Sequence, residues 1–389
     1  MKRTFLLFGA GASIEFGAPS TSLMSEKIEN YIKLDEWAEY RKVDNVYQEI
    51  KLKLSKYLSS DEAVNFENIY HCVHELLQFV PHTEGAVDEY KFLLQPFISS
   101  KDEISPDSLR TLEQTIIKAI YNTISDVCAA PVISLDPFSM FLKLLKKQGV
   151  LRAYTTNYDD FPLQASPDFY TGFDEGNAVK FNPKYFWRKG WDTNSLFHLH
   201  GSIHFGFPHG KNFDIGEIAW FDDRAEALKY SAFNGTAERR MDGSTVERSA
   251  ILTGLDKLSR IQSSPLNYYY AGLAQDLMSC DQIIIVGSGY GDLHLNSWLK
   301  QARLERNSIP IILVDYYSSG FSRDFDYSRK SIEIFHTLGI SAFDRKNVIK
   351  RGEHWYISRH SNAAIWDGGF KLFLENMPEF QSVFEEIQA

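Results

Sequence analysis

The stretch TFLLFGAGAS, residues 4–13, decides the fold class of this chain. Residues 4–8 are mostly apolar, which is typical of a strand buried on both faces of a parallel sheet. Gly9 then permits a sharp bend, and Gly11 lets the backbone approach a pyrophosphate closely. Ser13 opens a helix whose amide groups and dipole favour anions. The stretch therefore predicts the first strand and turn of a nucleotide-binding α/β unit.

The alternation of helices and strands continues along the chain. We predict a helix at residues 20–30, capped by Ser22. Later helices are predicted at residues 138–147, 268–278 and 293–306, and strands at residues 151–155, 196–200, 283–286 and 311–314. The predicted fold class is α/β, with a doubly wound, Rossmann-like parallel sheet.

One long block interrupts this alternation. Apolar residues recur at helical spacing through it, and it carries no chemical motif. We therefore predict a helical insertion at residues 31–130, which serves as a lid or an assembly surface. The nucleotide-binding core then consists of residues 1–30 and 131–330. Residues 331–389 mix strand and helix signals and form a C-terminal extension, a second candidate for an assembly surface.

The composition excludes several classes of function. A net charge of −10 argues against direct binding of DNA or RNA, which calls for a basic face. No apolar run approaches the roughly 20 residues of a membrane span, and we expect no secretory signal. The three cysteines, Cys72, Cys128 and Cys280, are too few for a four-cysteine zinc site and too far apart for a disulfide scaffold. We expect a cytoplasmic protein with free thiols.

Polar motifs follow three of the later strands. They are TTNYD at residues 155–159, LHGS at residues 199–202 and VGSG at residues 286–289. Together with the first glycine turn, they predict a dinucleotide site in which an asparagine and a histidine lie beside a ribose.

Each motif residue also has a plainer interpretation. Asn157 and Asp159 could form a strand-end turn with local hydrogen bonds, and His200 could be a satisfied strand histidine. His198 and His200 would face the same side of a strand, but no acidic or cysteine ligands accompany them locally, so we expect no metal. Asp292 precedes a predicted helix, where an N-cap is its expected role.

The motifs, taken in order, resemble those of the sirtuin family. GAGAS at residues 9–13, followed by GAP at residues 17–19, looks like the family's opening motif. TNYD at residues 156–159 resembles its second motif, and HG at residues 200–201 its catalytic pair. IVGSGYGD, residues 285–292, resembles the closing nucleotide motif of sirtuin-like proteins in bacterial anti-phage defence.

The resemblance implies a role for each matching residue. Asn157 would hold the nicotinamide ribose and an attacking water, and Asp159 would hydrogen-bond the carboxamide. His200 would contact the ribose hydroxyls and act as general base, a role that its free pKa of about 6.5 suits. The residues assigned to bind NAD+ are Gly9, Ala10, Gly11, Ser13, Pro19, Thr156, Gly287, Ser288 and Asp315.

Two departures from the family point to hydrolysis. Sirtuin deacylases carry a zinc ribbon of paired cysteines after the His-Gly motif, and this chain has no cysteine between His200 and Cys280. Pro19 is followed by Ser-Thr-Ser rather than by Asp-Phe-Arg. With no acyl-lysine presented, water becomes the nucleophile, and NAD+ yields nicotinamide and ADP-ribose.

The resemblance also implies a biological setting. It indicates an NAD+ hydrolase that depletes NAD+ during phage infection (abortive infection), in a bacterial cytoplasm and without a metal. Such an enzyme needs control, so we expect a homo-oligomer and a HerA-like hexameric ATPase as partner. The alternatives are a deacylase or ADP-ribosyltransferase, which would require an acylated peptide or an acceptor, and a non-enzymatic sensor of ADP-ribose or a related nucleotide.

Overall fold

The structure is a computed structural model that describes residues 1–58, 64–79, 105–207, 217–233, 248–255, 257, 260–261, 263–306, 309–317, 348–358 and 361–388. Parts of the predicted insertion (59–63 and 80–104) and of the predicted C-terminal extension (331–347, 359–360 and 389) lie outside the described residues. Among the helices described, none is long and apolar enough to cross a lipid bilayer.

Helices and strands alternate through most of the described chain. The helices are α1 (Gly11–Ile14), α2 (Thr21–Leu34), α3 (Glu36–Tyr40), α4 (Val43–Leu58), α5 (Phe66–Phe79), α6 (Pro106–Ala129), α7 (Asp136–Gln148), α8 (Phe161–Ala165), α9 (Pro183–Lys189), α10 (Arg224–Lys229), α11 (Leu266–Ser279), α12 (Leu293–Glu305), α13 (Gly369–Glu375) and α14 (Met377–Gln388). The strands are β1 (Lys2–Phe8), β2 (Gly149–Thr155), β3 (Val179–Lys180), β4 (Ser195–His198), β5 (Phe205–Gly206), β6 (Ala219–Trp220), β7 (Ala232–Phe233), β8 (Arg248–Ser249), β9 (Gln282–Val286), β10 (Ile311–Val314), β11 (Val348–Arg351), β12 (Trp355–Ser358) and β13 (Ala363–Trp366).

The main sheet has eight strands in the order β11-β12-β13-β10-β9-β1-β2-β4. The strands from β13 to β4 are parallel, whereas β12 is antiparallel to both of its neighbours. From β1 the chain builds outward through β2 and β4, then returns and builds β9, β10 and β13 on the other side. This is the strand order of a doubly wound sheet, with its switch point between β1 and β9. The predicted α/β, Rossmann-like sheet is confirmed.

Two local predictions near the N-terminus are wrong. The first helix, α1, is a single turn, and Ser13 lies inside it instead of opening a longer helix. The longer helix is α2, and its cap is Ser20, whose Oγ accepts a hydrogen bond from the backbone N–H of Leu23 (3.3 Å). Ser22 lies one residue inside that helix. A side chain caps from just before the first helical residue, so the serine that follows Pro19 takes the role.

The described part of the predicted insertion is helical and packs onto the core. Helices α3 to α6 contact one another and α2. Their buried apolar residues, Ile116 and Ile120 of α6 among them, join one hydrophobic cluster with Leu6 and Phe8 of β1. The insertion therefore shares a core with one face of the sheet and forms no separate lobe there.

The described part of the predicted C-terminal extension completes the sheet. β13 pairs in parallel with β10, which places Ile311 opposite Ala363. Phe370 and Phe373 of α13 pack edge-on against Phe141 of α7, with ring centroids 6.1 and 5.4 Å apart. The tail thus contributes three strands, β11, β12 and β13, and covering helices to the core. The boundary at residue 330 and the assembly role of the extension stay predictions.

Three glycines join the turns on the two sides of the switch point. The N–H of Gly9 donates to the carbonyl of Val286 (2.9 Å), and the N–H of Gly11 donates to the carbonyl of Gly287 (2.8 Å). A Cβ on Gly9 would lie 2.6 Å from the Gly287 carbonyl oxygen, and one on Gly287 would lie 2.2 Å from the backbone nitrogen of Ala12. Gly287 also has a φ of +63°, which favours glycine. Backbone packs directly on backbone here, so no side chain fits.

We predict that Gly287→Ala destabilises the fold. Alanine would have to adopt the left-handed backbone, and its Cβ would clash with the β1–α1 turn. Together these two effects should lower the free energy of unfolding by about 2–6 kcal/mol. Gly289→Ala is the matched control two residues away, because a Cβ there would meet no described atom within 4 Å. Denaturant unfolding of both variants measures the difference. Equal unfolding free energies for the two variants would show that the glycine contact does not hold the turns together.

Candidate active site

A cavity of about 320 Å³ lies at the switch point of the sheet. The turn after β1, the loop after β2 and the segment between β9 and α12 form its walls, as expected where the strands' carboxyl ends diverge. Phe66 and Glu67 of α5 and Ile124 of α6 line it too, so the insertion contributes to the cavity. The predicted site residues in its lining are Gly9, Ala10, Ser13, Pro19, Thr156, Asn157, Asp159, His200 and Ser288.

Asn157 is fixed by long-range hydrogen bonds. Its Nδ2 donates to the carbonyl of Gly9 and to Oγ of Ser13, both at 2.8 Å. These partners lie far away in sequence, so the side chain does not form the local turn that was the plainer alternative. Because both amide hydrogens are used, Oδ1 is the atom that remains for a ligand, as an acceptor.

Asp159 is a buried carboxylate on the same network. It is 2% exposed, and Ser13 hydrogen-bonds to it. Burial, with a smaller contribution from the charge of Asp160, raises the pKa of Asp159 to about 6 although the Ser13 hydrogen bond opposes the shift. Its Oδ1 also accepts from the N–H of Phe161 (3.3 Å), so the local turn is present here as well.

His200 lies just beyond its strand. β4 ends at His198, so the prediction that both histidines share one strand face is wrong. Gly201, at a φ of +90°, turns the chain away, and the carbonyl of His200 accepts from the N–H of Leu252 (2.7 Å). Residue 201 must be small because a Cβ there would lie 2.5 Å from the carbonyl oxygen of Ala250.

The imidazole of His200 is buried and uncharged. Burial, and then the charge of Lys257, lower its pKa to about 3, far from the ordinary value expected from the sequence. Its Nε2 is buried and has no hydrogen-bond partner among the described residues. His200 is therefore not a satisfied strand histidine. Its neutral ring lies in the wall of the cavity, where Nε2 is available to accept a proton.

A chain of polar and charged side chains connects His200 to the insertion. His200 Nε2 lies 3.5 Å from Oδ2 of Asp292, and Oδ1 of Asp292 lies 3.2 Å from Nζ of Lys257. Lys257 Nζ lies 3.6 Å from Oε1 of Glu67 on α5. Burial alone would raise the pKa of Asp292, but His200 and Lys257 outweigh it and the pKa lies below its usual value. This network is the main charged feature of the cavity that the sequence did not indicate.

The same corner contains the one group of metal-ligating side chains found among the described residues. Ligand atoms of His200, Asp292 and His294 all lie within 4.8 Å of one another. The ammonium group of Lys257 already neutralises Asp292, and Nε2 of His294 lies 3.1 Å from the hydroxyl of Tyr270. These contacts compete with a metal ion, and we assign none to the site.

His198 and His204 have other surroundings. Nε2 of His204 contacts Asp160 (2.9 Å), Nδ1 contacts the carbonyl of Phe221 (2.8 Å), and the ring stacks on Trp220. Asp160 also pairs with Arg224, so this group is a buried ion-pair network that holds the loop after β2. Neither histidine lines the cavity.

Three of the predicted nucleotide-binding residues lie outside the cavity lining as described. Gly11 and Gly287 contact each other behind it, so the close approach predicted at Gly11 is made to Gly287. Asp315 follows β10, two strands from β1, where its backbone N–H bonds the carbonyl of Trp366 and its Oδ1 accepts from the N–H of Tyr316. Their roles in binding stay predictions.

Sequence reasoning missed two charged cavity residues, Glu67 and Lys257. Glu67 lies on an amphipathic helix and Lys257 in a loop, and each looks like an ordinary surface charge. No spacing connects them to each other or to His200, so the sequence held no signal for the network. Asp292 was noticed, but as a helix cap.

Comparison with known proteins supports part of the resemblance. Residues 152–329 match the family model described as a SIR2-like domain. The segment starts within β2 and includes Asn157, Asp159 and His200, but not the glycine turn after β1. Over this segment the sequence is similar to a SIR2-like domain. No curated protein is similar enough to this chain to count as a match.

Several solved structures are distantly similar. A Sir2 homologue in complex with NAD is 10% identical, covers 98% of this chain and 91% of its own, and has a TM-score of 0.42. A Sir2 homologue mutant bound to 2′-O-acetyl ADP ribose is 11% identical, with coverages of 87% and 91% and a TM-score of 0.38.

We predict that Asp159→Asn stabilises the fold at pH 8. With a folded pKa of about 6, the protein binds a proton that the unfolded chain releases near its ordinary pKa of 3.8. Stability is therefore lost as the pH rises between these values, by about 3 kcal/mol once the buried carboxylate is ionised. The variant should gain stability over the wild type at pH 8 and lose that gain towards pH 4, as measured by denaturant unfolding.

The matched control for this experiment is Asp223→Asn, a change at an exposed helix cap. Because the side chain of Asp223 is exposed, its substitution removes no buried carboxylate and should give no gain of about 3 kcal/mol at pH 8. The absence of that gain in Asp159→Asn would contradict the burial of an ionisable carboxylate.

Proposed function

We propose that this chain hydrolyses NAD+ at the bond between nicotinamide and ribose. One observation carries the proposal: Asn157, Asp159 and His200, which come from the carboxyl ends of two strands, line a single cavity at the switch point of a doubly wound sheet. Dinucleotides bind at that point of such sheets. The match to a SIR2-like domain supports chemistry on NAD+ rather than hydride transfer.

The side chains suit the steps of this reaction. Nicotinamide leaves with the electrons of the C1′–N bond, and the ribose carbon becomes cationic. Asp159, once ionised, accepts hydrogen bonds from the carboxamide, and Oδ1 of Asn157 accepts one from the water. The water oxygen forms the new bond to C1′ and its proton passes to Nε2 of His200, so NAD+ and water yield nicotinamide, ADP-ribose and a proton.

A low pKa does not prevent His200 from acting as base. A ring with a pKa of about 3 is neutral at every pH near 7, so its nitrogen is always ready to accept a proton. The base is intrinsically weak, yet an attack on a cationic carbon needs little help. Orientation of the water and stabilisation of the developing charge supply most of the effect.

We extend the proposal to the biological role that the sequence motifs imply. NAD+ depletion would serve bacterial anti-phage defence in the cytoplasm, and activity would be controlled by homo-oligomerisation and by a HerA-like hexameric ATPase. Phe66 and Glu67 of the insertion line the cavity. A partner that binds the insertion could therefore affect the site through these residues. Reconstitution with the neighbouring operon product tests this extension.

Replacing the central side chains should abolish nicotinamide release. We expect Asn157→Ala and His200→Ala each to lower kcat at least about 10²-fold, because one loses the group that orients water and the other the base. Nicotinamide and ADP-ribose are measured by chromatography with NAD+ alone and with the operon product. Glu226→Ala, at an exposed ion pair with Lys229, is the control and should keep full activity.

The outcomes separate the alternatives. Turnover that persists in both variants would contradict the assignment. Turnover by the wild type that requires an acylated peptide or an acceptor would indicate a deacylase or a transferase. Binding of NAD+ or ADP-ribose without turnover, in both conditions, would indicate a sensor.

We predict that kcat/KM falls as the pH drops through about 6. Asp159 has a pKa of about 6, and its protonation removes an acceptor for the carboxamide. His200 stays neutral across this range and contributes no limb. The pH profile of Asp159→Asn should lack the acid limb, and a limb of the same midpoint in that variant would assign it to another group.

A further inference from the structure

Asp292 has a contact that its place in the helix does not explain. It occupies the N-cap position of α12, and its carbonyl accepts the first helical hydrogen bond, from the N–H of Asn296 (3.0 Å). An aspartate at this position ordinarily accepts a backbone N–H with its side chain. The side chain of Asp292 makes no such bond. The carboxylate instead turns away from the helix towards His200.

The ion pair with Lys257 explains only one oxygen of this carboxylate. Oδ1 lies 3.2 Å from Nζ of Lys257, whereas Oδ2 faces Nε2 of His200 at 3.5 Å. The side chain of His200 is 4% exposed and that of Asp292 is 23% exposed. A charge that forms on the ring would therefore lie beside a carboxylate and away from most of the solvent, where attraction between opposite charges is strong.

We propose that Asp292 is a positioning residue for His200, fixing the ring and balancing the charge that it gains on accepting a proton. The inference rests on the proposed function and adds to it. His200 Nε2 takes the proton of the attacking water, and the resulting positive ring lies beside the Asp292 carboxylate, whose Oδ2 is 3.5 Å from Nε2. No atom is exchanged with Asp292, which stays ionised throughout.

The surroundings of the pair agree with this role. Among the groups facing His200, Asp292 and the backbone of Thr156 favour a positive ring, whereas Lys257 and His294 oppose it. Lys257 is itself held between Asp292 and Glu67, so its charge is shared by two carboxylates. Without Asp292, Lys257 and the burial of the ring would both act against proton transfer.

The substitution Asp292→Asn separates this role from helix capping. Asparagine caps a helix as well as aspartate does and has the same shape, so a capping role predicts no effect. We expect kcat to fall roughly 10²-fold, within the range of general acid–base catalysis, while KM changes less than about threefold. The midpoint of thermal unfolding should fall slightly, because the ion pair with Lys257 is lost, and kcat is measured well below that midpoint. Asp292→Glu, which keeps the charge, should recover part of the lost kcat.

Asp223→Asn is the matched control, since Asp223 caps α10 with its side chain and lies outside the cavity lining. It should leave kcat unchanged. All proteins are assayed for nicotinamide release, alone and with the operon product. A wild type that is inactive in both conditions would overturn the proposed function and this inference with it. Wild-type kcat in Asp292→Asn, or no recovery in Asp292→Glu, would overturn the inference alone.

Discussion

The contact between two glycine turns is the constraint on which the rest depends. Gly9 and Gly11 follow β1, Gly287 follows β9, and their backbones touch where the order of the sheet reverses. Because no side chain fits between the turns, both strand ends stay close and the loops beyond them diverge. The cavity is the space that this divergence leaves. Side chains that end neighbouring strands therefore meet in its wall.

The polar groups of the cavity depend on that framework in turn. Asn157 bonds to the carbonyl of Gly9 and to Ser13, so the asparagine is positioned by the first turn and not by its own loop. Ser13 continues the network to Asp159. His200 projects from a turn held by Gly201 and Leu252. Each of these groups is thus held, at least in part, by a contact with a distant part of the chain.

Burial then sets the chemistry of these groups. Exclusion of water raises the pKa of Asp159 and lowers that of His200, so both favour their neutral forms more than they would in solution. Asp292 and Lys257 adjust this environment, and Glu67 brings the helical insertion into it. The insertion consequently contributes to the wall of the cavity, and its predicted role as a lid or an assembly surface stays a prediction.

The sequence by itself determined the fold class, the parallel strands near the site and the motif residues that line the cavity. Apolar runs, glycine turns and strand-end polar residues are local patterns, which can be recognised in the sequence before the fold is known. Only the tertiary structure decided that Ser20 and not Ser22 caps α2, that residues 363–366 join the main sheet, and that Asp292 faces His200 instead of capping its helix. Those outcomes depend on which distant groups become neighbours, and on how much water remains between them.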